Sequence, residues 1–417
     1  MTLSQRSDAA ADLSSLLFSP SFAENPYAAY ARMRAGPPIC PSPFGGWFVT
    51  RYEDVRAGLR DHRLRSVDLI AGVKRKHAAL LESKSATAGA TLEDLVWNVS
   101  SWLAFLEGPD HARLKSTITG NLKKKHVEAL RPYIRQYTVE LLRKALSQPR
   151  VDFVHDFAHK FPGHVIARLL GLPTQDVARF ERWMKAVLPV FNPLLPISAY
   201  REANTASVEV LAYMRSHIAE RRGNPREDLL SELLGMPDGD AGFSDEEAAS
   251  TCLSLFSAGV ETSSAVLGTG LLALLRNPEQ KALLLGDLAL IPAAVEELLR
   301  YEPPIQFTSR IATESFDWHG VRIAAGQTLH LHIAAANHDP SKFPRADALD
   351  IRRDPNLHLT FGGGHHFCVG APLARVMAQI ALEVLFTTVP RVRLSGEQPA
   401  FARNPIFREL TSLPLSF

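Results

Sequence analysis

The chain has few cysteines: Cys40, Cys252 and Cys368 are the only three in 417 residues. So sparse and odd a set argues against a disulfide framework and fits a reducing compartment. No run of roughly 18 apolar residues occurs, so no membrane span is expected. The opening MTLSQRSDAAADL lacks a basic segment followed by an apolar one, and so does not read as a secretory signal. Charge of one sign is also missing. Lys and Arg number 46 against 44 Asp and Glu, a net +2 that gives no global electrostatic reason to bind nucleic acid. No internal repeat or low-complexity tract stands out. These absences lead us to expect a cytoplasmic protein with no nucleic-acid partner, and a monomer is expected as well. A composition 46% hydrophobic and 22% charged is ordinary for a globular protein, and a chain this long can bury a large core.

The periodicity is mainly helical, with short strands. Helices are expected over 26–33, 54–60, much of 109–171, 291–301 and 372–386, and strands over 46–50, 308–311, 316–323 (a hairpin at Trp318-His-Gly320) and 328–334. Ser244 followed by Glu247 forms a capping-box pattern that opens a helix from 245 to 276, ended by Asn277-Pro278. That helix is about 45 Å long at 1.5 Å per residue. Leu253, Leu255, Phe256, Val260, Val266 and Leu267 make it apolar on most sides, so it should cross the interior. The region 66–104 is irregular, with Lys74, Arg75 and Lys76 clustered and a Ser/Ala/Gly-rich stretch at 83–90. Such a long connection suggests a lid or binding loop. The segment 188–196 carries three prolines and reads as an apolar hinge. Lys123, Lys124, Lys125 and His126 form either a solvated helix face or a docking patch for an acidic partner.

The strongest local signal is Phe361-Gly-Gly-Gly-His-His-Phe-Cys-Val-Gly370. Its glycines let the backbone turn sharply and approach a flat ligand. Pro372 suits the first turn of a helix, and the dipole of that helix favours a negative sulfur at Cys368. Glu297 and Arg300 lie on one face of a helix, where the plain reading is a surface pair of small value. Thr262, in Ala258-Gly-Val-Glu-Thr262, would by default bond back to the carbonyl of Ala258.

Taken together these residues resemble the cytochrome P450 family. Phe361, Gly362, Gly364, His366, Cys368 and Gly370 stand at the offsets of its haem-binding signature, and Leu373-Ala-Arg375 completes it. The resemblance runs from Pro26 to the C-terminus. It implies a mainly α fold with small β-sheets, in which a long central helix crosses a buried haem b and Cys368 is the axial ligand to the iron. One haem-thiolate monooxygenase domain is expected over 1–417, with 1–20 poorly ordered, because haem contacts spread over more than half the chain are unlike those of independent domains. Glu297, Arg300 and Arg353 would lock the scaffold behind the cysteine loop. Thr262 would hold dioxygen and an ordered water, and Glu261 would relay protons. His111, Lys115, Arg310 and His358 would meet the propionates, with Phe361 and Gly362 against the macrocycle. Two residues depart from the pattern. Lys115 stands where Arg is expected, and it can pair a propionate only as a point charge. His338 stands where Arg is common.

The resemblance further implies electrons from a ferredoxin and its reductase, dioxygen as co-substrate, and a bulky hydrophobic substrate of steroid, terpenoid, fatty-acid or polyketide type. Pocket walls are expected at 95–105, 188–197, 255–258, 305–308 and near Ile406 and Phe407, with Leu255, Ala258, Gly259, Ile305 and Phe307 foremost. A peroxide-driven peroxygenase or a haem-thiolate isomerase is the alternative within enzymes, and a gas sensor the alternative outside them. The acid–Thr pair argues against the first two, and the lack of a signalling module against the third.

Overall fold

The computed structural model describes residues 17, 20–67, 69–82, 91–122, 124–191, 195–235 and 243–417. Most of 1–20, all of 83–90, Lys123, part of 188–196 and the side chains of Lys124 and Lys125 lie outside them, so the expectations made there are not addressed. The described chain falls into two compact units, one of 1–65, 131–162 and 261–417, the other of 66–130 and 163–260.

The first unit holds the sheets. Its five-stranded sheet runs Ile39–Pro41, Trp47–Val49, Thr328–Leu331, Thr308–Ala312, Leu64–Ser66. Trp47–Val49 lies parallel to Thr328–Leu331, and Thr308–Ala312 pairs antiparallel with the same strand. Around it pack Ile39, Val49, Tyr52, Val55, Leu59, Leu329, Leu331, Phe343 and Leu359, all buried. The hairpin Phe316–Trp318 with Val321–Ile323 turns on His319 and Gly320, whose φ values of 48° and 74° are what a two-residue turn matched to strand twist requires. The expected strand over 328–334 is shorter. It ends at Leu331, and the alanine-rich stretch after it forms the helix Ile333–Asn337.

Three helices of this unit matter for the site. Ile291–Tyr301 and Ala371–Thr388 pack together, and both start with Pro in the first turn, where the missing N–H costs nothing. The third is the second half of Asp245–Arg276, whose 32 residues match the expected bounds. Its capping box is formed: Ser244 Oγ accepts from the Glu247 N–H at 3.0 Å, and Glu247 Oε2 accepts from the Ser244 N–H at 3.1 Å. Asp245–Arg276 and Ala371–Thr388 are long and apolar enough to cross a membrane by length and composition, but 61% of each apolar stretch is buried in protein, as in a core helix.

The second unit is helical. Gly108–Asn121 is tied to the start of Asp245–Arg276 by Arg113, which pairs with Glu247. Ile197–Gly223 packs against Val177–Val187 and Glu93–Ser100, with Phe180 meeting Trp183, Tyr213 and Phe256 at 5.1–5.4 Å between ring centres.

Candidate active site

Cys368 sits on a loop whose shape the glycines dictate. Gly364 has φ +63°, and a Cβ there would lie 2.7 Å from the Leu59 carbonyl oxygen, so any side chain would push the loop off the end of the helix Tyr52–Gly58. Gly362 also has positive φ, at +72°. The Cys368 N–H donates to the Phe361 carbonyl at 3.0 Å, closing the loop, and Ala371–Thr388 begins three residues later. The result is an exposed thiol at a helix N-terminus. The other two cysteines are buried, and burial pushes their thiols up to about 11 for Cys40 and about 12 for Cys252. Only Cys368 is built to act as a thiolate.

The middle of Asp245–Arg276 is unusual for an apolar core helix. Leu255, Ala258, Gly259, Thr262 and Val266 recur at three- and four-residue spacing and are all at least partly exposed, while Phe256, Ser257 and Ser263–Ala265 are buried. This open stripe contains the three helix residues expected to face substrate and the threonine expected to face dioxygen. Glu261 is exposed beside it. Enough protein surrounds Glu261 that desolvation raises its carboxyl, and the charge of Glu409, itself raised by burial, pushes it up further. Glu409 precedes Leu410, whose side chain would meet a Cβ at Gly268 at 3.6 Å, so its strand runs along this helix.

The expected scaffold lock is present and buried. Glu297 accepts from Arg300 through Nε and Nη2, both at 2.8 Å, from Arg353 Nε at 3.0 Å, from Asn356 Nδ2 at 3.0 Å and from the Asp350 N–H at 2.9 Å. Glu297 and Arg300 are 0% exposed. Arg300 also donates to the carbonyls of Asn337 and Ala346 at 2.8 Å and Ala348 at 3.1 Å. A buried pair with every lone pair used pins the loop 344–353 to Ile291–Tyr301.

Of the cations expected at the propionates, Arg310 is 6% exposed, and its Nη1 donates to Thr308 Oγ1 and the Ser309 carbonyl, both at 3.0 Å. His111 is buried and Lys115 half-buried on Gly108–Asn121. His358 Nε2 faces Glu296 at 3.1 Å, and its Nδ1 accepts the Thr360 N–H at 3.3 Å. Phe307 is 6% exposed and packs its ring on Phe44, Phe48, His330 and His332. Ile305 is half-buried and bridged to Phe407, beside exposed Ile406. The histidine at 338 has a physical account: its ring stacks on Tyr27 at 4.1 Å and its Nε2 bonds the Tyr301 carbonyl at 3.0 Å.

The chemistry of the residues in the first unit fits a haem: Cys368 offers an exposed sulfur at a helix N-terminus and Arg310 a buried cation, which suit an iron-bearing, dianionic ring.

The comparisons with known proteins agree. The family model described as Cytochrome P450 matches residues 100–389. The chain is a cytochrome P450. Similar curated proteins include the biotin biosynthesis cytochrome P450 of Bacillus subtilis, 35% identical over 96% of this chain and 98% of that one. Another is the 6-deoxyerythronolide B hydroxylase of Saccharopolyspora erythraea, also 35% identical over 96% and 98%. Among solved structures, P450BioI in complex with a hexadec-9Z-enoic acid ligated acyl carrier protein is 35% identical over 96% of this chain and all of that one, with a TM-score of 0.84. CalO2 has a TM-score of 0.87 at 29% identity, covering 96% and 98%. This P450 is therefore a monooxygenase, an oxidoreductase that uses haem b, dioxygen and redox partners and acts on hydrophobic substrates.

Sequence reasoning missed Glu296, His332 and Glu409. None belongs to a local motif. Their partners lie tens to hundreds of residues away, and no spacing signals them.

Proposed function

We propose that this P450 hydroxylates a bulky fatty-acyl or polyketide-like molecule in the cytoplasm, drawing its electrons from a ferredoxin. The observation that carries the reading is the pairing of features within one chain: an exposed Cys368 on a glycine-shaped loop, and an open helix stripe bearing Thr262 with Glu261 beside it. The substrate class rests on relatives named as a 6-deoxyerythronolide B hydroxylase and a polyketide biosynthesis cytochrome P450, on a similar structure with a hexadec-9Z-enoic acid ligated acyl carrier protein, and on the apolar character of Leu255, Ala258, Ile305 and Ile406.

When bound, the haem supplies the oxygen chemistry, and the protein supplies position, protons and dryness. Cys368 would hold the iron as a thiolate, which the helix N-terminus behind it favours. Arg310, His111 and Lys115 are the cations that would neutralise the propionates. His358 stays the candidate imidazole of this group, and His366, half-buried two residues before the sulfur, is a second. The Thr262 hydroxyl orients a water, and Glu261, kept protonated to higher pH than an ordinary glutamate, passes a proton along it. Leu255, Ala258 and Gly259 present the substrate face. We take 1–417 as one functional domain, since the family match runs through both compact units.

The test is spectroscopic first. The reduced protein with carbon monoxide should show the red-shifted Soret band of a thiolate ligand, and Cys368→Ser should lose it. Long-chain fatty acids and macrolactones, screened against the ferric protein, should displace water from the iron and shift its spectrum. Turnover with a ferredoxin and its reductase should exceed turnover with hydrogen peroxide alone. The reverse order would favour the peroxygenase reading.

A further inference from the structure

The helix Ile291–Tyr301 carries two adjacent glutamates with separate partners. Glu297 serves the scaffold lock. Glu296 faces the cysteine loop and the helix behind it. Arg375 grips it with two parallel bonds, Nε to Oε1 at 2.7 Å and Nη2 to Oε2 at 2.9 Å, and His358 Nε2 stands 3.1 Å from Oε2. A bidentate guanidinium–carboxylate pair of this kind fixes geometry as well as charge.

This cluster leads directly to the sulfur. The Arg375 guanidinium lies 4.5 Å from the centre of the Phe361 ring, and the His358 ring lies 5.8 Å from it. Phe361 in turn gives its carbonyl to the Cys368 N–H at 3.0 Å, and its ring lies 6.3 Å from that of Phe367, the residue before the cysteine. Glu296 thus holds a cation against the residue that closes the cysteine loop. Burial raises the Glu296 carboxyl, but the hydrogen bonds from His358 and Arg375 and the charge of Arg375 outweigh this and bring it down to about 2. The glutamate is therefore a fixed negative charge at any working pH.

We propose that Glu296 and Arg375 act as a balanced charge pair that sets the reduction potential of the haem held by Cys368. Glu296 is a positioning residue: it keeps Arg375 on Phe361 and cancels most of its field at the sulfur. The inference rests on the haem-thiolate reading above. Reduction adds one electron to the iron–thiolate unit, so an uncompensated cation nearby favours the ferrous state and an uncompensated anion the ferric state.

The experiment is a spectroelectrochemical titration of the purified haem-loaded protein and three variants. Glu296→Gln keeps the shape and leaves Arg375 unbalanced, so its potential should rise. A tenfold change in the ferric–ferrous equilibrium corresponds to about 59 mV for one electron. Arg375→Gln leaves Glu296 unbalanced, and its potential should fall. Glu296→Asp restores the charge and should return most of the way to wild type. Shifts of the same sign in the two Gln variants, or Glu296→Asp moving as far as Glu296→Gln, would overturn the proposal, because a purely structural role moves both in one direction. If one Gln variant does not retain haem, the sign of the other decides. The carbon-monoxide band of the wild type is recorded alongside: its absence would refute the haem-thiolate reading, whereas its presence with unchanged potentials would refute this inference alone.

Discussion

His332 gives the sharpest stability test. Its ring is 1% exposed, sits 4.9–5.0 Å from the rings of Tyr30, Phe48 and Phe307, and has no hydrogen-bond partner at either nitrogen among the described residues. Burial, with a smaller contribution from the charge of His330, lowers its pKa to about 3. The unfolded chain binds a proton at this residue near pH 6.5, and the folded chain does not until about pH 3. Stability is therefore fully present above the unfolded value and is lost as pH falls toward the folded one. Between pH 7 and pH 5 the loss from this single group is ~2 kcal/mol, from the two pKa values and one proton. Phenylalanine suits a site walled by aromatic rings and cannot titrate. In urea unfolding of the haem-loaded protein at both pH values, His332→Phe should lose ~2 kcal/mol less than wild type over this interval. Other groups titrate in both proteins and cancel in the difference. At pH 7 the variant also sheds two unpaired nitrogens, a relief of about 1–3 kcal/mol set against any overpacking. Parallel loss of stability in the two proteins would show that the ring is either hydrated or charged in the folded state, and would refute the reasoning.

Glu297→Gln removes one side of a buried charge network and should cost about 3–5 kcal/mol. Lost haem retention and a lower unfolding midpoint would register it, and an unchanged midpoint would contradict the lock. Glu261→Gln should lower kcat about 100-fold or more if its carboxyl passes a proton, with the substrate-induced spectral shift preserved. Glu409→Gln removes a like charge from beside Glu261, so the Glu261 carboxyl should ionise at lower pH. The fall of kcat with rising pH should then begin earlier than in wild type, and a profile that stayed in place would exclude the coupling. His338→Ala deletes a ring stacked on Tyr27 and a bond to the Tyr301 carbonyl, and should cost about 3 kcal/mol in urea unfolding.

The parts legible from sequence are those whose causes are local. The cysteine loop was readable because its glycines, its cysteine and the proline after it are contiguous, and positive φ at Gly362 and Gly364 is a property of those positions. The bounds of Asp245–Arg276 were readable because a capping box and an Asn-Pro stop are written into a few residues. The strand over 328–334 failed where alternation gave way to three alanines, which favour a helix that only the tertiary context permits to be this short. The surroundings of His358 were not readable for another reason: the carboxylate beside its ring lies 62 residues upstream. Glu296 and Glu297 show the limit most clearly. They are neighbours in the chain with the same chemistry, and only one belongs to a spacing motif. One partner of Glu297, Arg300, lies one helical turn away, so a pair can be inferred from the sequence. The partners of Glu296 lie 62 and 79 residues away, so its role becomes visible only when the helix, the loop and the helix after it have been brought together.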